Sequence, residues 1–100
     1  MARMIGRRSR RISRALESAR VIDDVVNKQL MLVSGLSEDG RRRAADFLAE
    51  LVMLAQAYRH FAAGWITHRE LERRGLDTMR RLSVIRQRRD RSAAQFTERD

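Results

Sequence analysis

Between Arg41 and Ala63 the apolar residues fall at Ala44, Phe47, Leu48, Leu51, Val52, Leu54, Ala55, Tyr58, Phe61 and Ala62. Steps of three and four keep them on one wide side of a helix. No proline or glycine interrupts the stretch, and Ala, Leu, Met, Glu and Gln dominate it, all strong helix formers. The far side is only weakly polar, with Ala49, Met53 and Ala57. A helix that is apolar beyond one stripe has neighbours on more than one side. This segment is therefore predicted either to lie between two helices of its own chain or to be shared with a second copy. Asp46, Glu50, Arg59 and His60 break the run and argue against a membrane span.

Upstream, Ile12, Leu16, Ala19, Ile22, Val26, Leu30 and Val33 step by threes and fours along one face, predicting a first helix over 9–34. Val25 and Leu32 lie off that stripe and widen the apolar surface. The stretch SGLSEDG, 34–40, is the clearest break. Gly35 suits a helix C-terminus, Ser37 an N-cap, and Glu38 with Asp39 the first turn of the next helix. A connection this short makes the first two helices antiparallel neighbours, in a hairpin of about 35 Å. A second break follows at Gly64-Trp65-Ile66-Thr67. Thr67 with Glu70 has the spacing of a capping box. Leu71, Gly75, Thr78, Leu82 and Ile85 then form the seam of a third helix over 67–90, with Gly75 as a kink or a point of close approach.

The predicted fold is all-α: a long antiparallel helical hairpin plus a third helix, a three-helix bundle in one domain. Residues 1–8 are read as a basic flexible arm, 38–63 as helix two and 91–100 as a fraying tail.

Charge changes this picture more than composition does. The chain has 22 basic against 13 acidic residues, a net charge of +9 that favours polyanionic partners. All the basic residues but Lys28 are arginine, which makes bidentate phosphate contacts that lysine cannot. The ratio also fits a GC-rich genome, hence a bacterial or phage-encoded, cytoplasmic protein. An Arg-rich, acid-poor start allows mitochondrial targeting as the lesser alternative. The chain contains no cysteine, which removes disulfides and thiolate metal sites.

Three arginine clusters are the candidate nucleic-acid contacts: Arg3, Arg7, Arg8, Arg10, Arg11 and Arg14; Arg41, Arg42 and Arg43; and Arg80, Arg81, Arg86, Arg88 and Arg89. In an up-down-up bundle the last two clusters share one pole. The first lies at the other, near Arg59, Arg69, Arg73 and Arg74. A helix-turn-helix over Ile66–Arg88, turning at Gly75, is a weaker candidate. Glu70 and Arg81 stand where that motif wants a small and an apolar residue. His60 and His68, even with Glu70, lack a further ligand, so no metal site and no cofactor are expected. Asp46 and Glu50 share a helix face but suit salt bridges to neighbouring helices better than acid–base chemistry, so no catalytic residue is assigned. Val25, Leu32, Ala49, Met53, Ala57 and Trp65 are the candidate interface.

The sequence thus favours a small, non-catalytic, accessory or regulatory protein that grips nucleic-acid phosphates through arginine. The alternative is a helical protein–protein interaction module, offering its apolar face to a second copy or another protein, with arginines toward an acidic surface. A membrane-surface role for residues 3–22 ranks last.

Overall fold

The computed structural model of the protein describes residues 2–98, with side chains for 6–91. It is all-α: α1 spans Ala2–Val33, α2 Glu38–Ala62 and α3 His68–Glu98. α1 begins at Ala2, so the expected flexible arm over 1–8 is helical from its second residue. No proline stops the helix there, and the one glycine, Gly6, costs only about 1 kcal/mol. α3 likewise continues to Glu98, through the segment expected to fray.

The helix ends follow local chemistry. The Ser37 hydroxyl accepts the Gly40 backbone N–H at 3.2 Å and caps α2, with Glu38 and Asp39 in its first turn. α2 closes in a Schellman motif. The Gly64 N–H donates to Phe61 O, the Trp65 N–H to His60 O, and Gly64 takes φ +82°. Thr67 caps α3 by accepting the Glu70 N–H at 3.1 Å. The Glu70 carboxylate turns to Arg73 and Arg74, so the capping box is made on one side only. Gly35 does not take the left-handed conformation expected of a C-cap glycine. α1 closes instead with three-residue bonds, from Gly35 N–H to Leu32 O and from Leu36 N–H to Val33 O.

α2 packs against both other helices, whereas no Cα of α1 comes within 8 Å of α3 among the described residues. The reason is readable on α2. Ala55 and Ala57 are each 1% exposed, yet two residues on a helix point about 160° apart. Ala55 lies one turn from Arg59, which pairs with Asp23 of α1. Ala57 lies two turns from Glu50, which accepts Arg81 Nε of α3 at 2.7 Å. The flanking helices therefore sit on nearly opposite sides of α2, and the molecule is flat and long, 66 × 25 × 17 Å. Of the two arrangements expected for α2, the one between two helices of its own chain is formed.

The core is correspondingly thin. Among the described residues the buried apolar side chains are Ala15, Ala19, Val26, Leu48, Ala55, Ala57 and Leu71, and four of these are alanine. Gly75 lies inside an unbroken α3, and a Cβ there would meet nothing within 4 Å. It is neither a turn nor a point of close approach. A helix-turn-helix over Ile66–Arg88 is thereby absent.

Candidate functional site

Because α1 and α3 stand apart, the layer opens between them. The second half of α1, the first half of α2 and the second half of α3 enclose a groove of about 970 Å³. Ala44, Phe47 and Leu48 of α2 face it, with Val25 of α1 and Met79, Leu82 and Ile85 of α3. Arg43 of α2 and Arg86 and Arg89 of α3 line it too, and no carboxylate does. Its polarity follows from spacing. Met79, Leu82 and Arg86 climb α3 in steps of three and four, so apolar and cationic groups share one side.

The groove gathers only part of the expected interface. Val25 lines it, and Leu32, seven residues further along α1, is 64% exposed on a stripe beginning at Val21. Ala49 and Met53 are exposed, but Met53 points about 120° around α2 from Phe47, away from the groove. Ala57 is removed from the candidate interface, since it is buried within the chain. Trp65 is 74% exposed and rests on His60, with ring centroids 5.2 Å apart. Sequence reasoning missed Phe47, Met79, Leu82 and Ile85 as groove residues. Phe47 carries a core signature, and the only signal for Met79 was its position off the third-helix seam.

The arginines divide by what they touch. Arg43 lines the same groove as Arg86 and Arg89, as expected of antiparallel helices. Arg42 pairs with Glu38 at 3.2 Å and Arg81 with Glu50. Arg80 approaches Asp77 and Arg89 approaches Asp90, both at 3.9 Å. Arg41 and Arg88 are exposed. Arg7, Arg8, Arg10, Arg11 and Arg14 are all exposed on α1, with no ion pair among the described residues. The Arg3 side chain lies outside the described residues. At that end of the layer Arg59 is tied to Asp23. Arg73 and Arg74 are tied to Glu70 at 2.7 and 3.2 Å. The hydrogen bonds from Arg73, then Arg74, hold the Glu70 carboxyl below the ordinary carboxylate range. Arg59–Asp23 and Arg81–Glu50 join helices and the other pairs lie within one; the first cluster, Arg41, Arg88 and the groove arginines are accessible.

His60 stacks on Trp65, while His68 meets the edge of Phe61 at 5.7 Å and Glu72 at 3.4 Å. The two histidines have different neighbours. Among the described residues no three metal-ligating side chains converge. No described helix is long and apolar enough to cross a membrane.

Comparison with protein-family models, with curated proteins and with solved structures returns no match.

Proposed function

We propose that this chain is a helical interaction module that completes its core on a protein partner and has no catalytic role of its own. The observation that carries the reading is area. The chain exposes 8359 Å², whereas a compact monomer of its mass exposes roughly 5,900 Å². Long arginine side chains account for part of the excess. The rest includes Leu30, Met31, Leu32, Met53, Trp65, Leu76 and Met79, all more than half exposed. Apolar exposure marks a binding face where it is contiguous, and the groove gathers Val25, Leu36, Phe47 and Met79 in one place. A stable complex buries about 1,200–2,000 Å² counted over both partners, so covering part of this excess is enough.

Phosphate binding is the second reading, supported by Arg7, Arg8, Arg10, Arg11 and Arg14 standing exposed along one helix. It accounts for the charge but leaves the apolar surface uncovered, so the protein-interaction reading takes precedence.

The test is the mass of the chain isolated under native conditions from cells that make it, by size exclusion with light scattering, before and after nuclease treatment. The expected result is a complex of defined protein stoichiometry that survives nuclease. A species that collapses to the free chain on nuclease treatment contradicts the reading and favours the arginines as a phosphate site.

A further inference from the structure

The groove is built from all three helices, and no part of the described chain lies over it. Its α3 wall runs from Met79 to Arg89, about 15 Å of helix rise. About three turns of a second helix, laid along that wall, present apolar anchors every three or four residues. Phe47, Val25 and Met79 are positioned to receive such anchors and are 38%, 42% and 64% exposed.

Charge decides what kind of helix fits. Arg43, Arg86 and Arg89 line the groove and no acid offsets them there. Arg43 and Arg86 have no ion pair among the described residues, and Arg89 has only a 3.9 Å approach to Asp90. A second copy of this chain carries another +9, so pairing groove to groove sets like charges against each other. A nucleic-acid backbone would satisfy the arginines but has no apolar stripe for Phe47 and Met79.

We infer that the groove binds an amphipathic helix of an acidic partner protein. Its apolar stripe lies on Phe47, Val25 and Met79, and Asp or Glu residues flanking the stripe meet Arg43, Arg86 and Arg89. The inference rests on the protein-interaction reading and gives that reading's partner a chemistry.

The probe is a displayed library of helical peptides, about fifteen residues long, with a fixed apolar stripe and randomised flanking positions, selected against the whole chain. Selected peptides are expected to be enriched in Glu and Asp at the flanks. Arg86→Glu with Arg89→Glu is expected to weaken them about tenfold. Met79→Glu should abolish binding, and Met53→Glu, turned away from the groove on α2, should leave it intact. Met79 is 64% and Met53 51% exposed, and circular dichroism checks that both variants keep the fold. Selection of neutral or basic flanks, no selection at all, or binding that is indifferent to Met79→Glu overturns the inference. The mass measurement separates the two claims. If the native complex survives nuclease and Met79→Glu but is released by Met53→Glu, the partner sits away from the groove. The groove inference then fails while the interaction reading stands.

Discussion

Two glycines separate conformational need from accident. Gly64 sits at φ +82° as the pivot of the Schellman motif, where an L side chain crowds its own carbonyl. Gly64→Ala is expected to cost about 1–2 kcal/mol, read as a lower urea midpoint at unchanged slope. Gly75 lies in a regular helix with open space where its Cβ would be. Gly75→Ala is expected to raise stability by about 0.5–1 kcal/mol, because alanine restricts the unfolded chain more and fits the helix. A loss there instead would mean that α3 bends at Gly75. In the sequence the two glycines look alike as helix breakers. The polar run Thr67–Glu70 after Gly64 marks a new helix start, whereas the apolar spacing runs unbroken through Gly75. That difference predicted the first break and left the second open, because one glycine is too weak a signal to end a helix.

Among elements, the ion pairs that join helices matter more than those along one helix. The Glu50 side chain is 16% exposed and holds Arg81 across α2 and α3, whereas Glu38 and Arg42 are 75% and 76% exposed. A double-mutant cycle is expected to give about 1 kcal/mol of coupling for Glu50–Arg81 and about 0.3–0.5 kcal/mol for Glu38–Arg42. Equal couplings would mean that Glu50 gains nothing from its partial burial. The first turn of α3 adds a pH dependence. The Glu70 carboxyl is lowered by Arg73 and Arg74, so on acidification the unfolded chain takes up that proton first. The stabilising contribution is complete above the ordinary carboxylate range and is lost as pH falls through the lowered folded value. Glu70→Gln should therefore flatten part of the acid decline in urea midpoint below about pH 5 without altering the shape of the curve near neutrality. The Thr67 cap was legible in the sequence. The choice of Glu70 between the backbone and two arginines was not, since it depends on side-chain competition at one oxygen.

For the whole molecule, the number and order of helices followed from spacing, but their openness did not. Ala49, Met53 and Ala57 signalled that α2 is apolar on two sides, without saying which side a helix of the same chain covers. Only the position of Ala57 opposite Ala55, with Glu50 and Arg59 reaching to different helices, sets α1 and α3 apart. That separation creates the groove and turns Phe47 from a core residue into a groove residue. The radius of gyration, 17.3 Å, reflects the 66 Å long axis set by the lengths of the helices. A compact chain of this length has about 13 Å. The sequence groups the arginines into clusters by position, whereas the structure divides them by what they touch. Arg59 and Arg81 join α2 to its neighbours, Arg73 and Arg74 pair within α3, and Arg43, Arg86 and Arg89 line an apolar groove. A module with this shape should gain stability when its partner is present, because association supplies the burial that the thin core lacks.

The most direct test places a photo-reactive residue at position 79, in the exposed wall of the groove, and irradiates living cells that make the protein. One discrete protein adduct is expected, from an acidic partner, and it disappears in Arg86→Glu with Arg89→Glu. Adducts with nucleic acid, or none from position 79 while position 53 crosslinks efficiently, would contradict the groove inference.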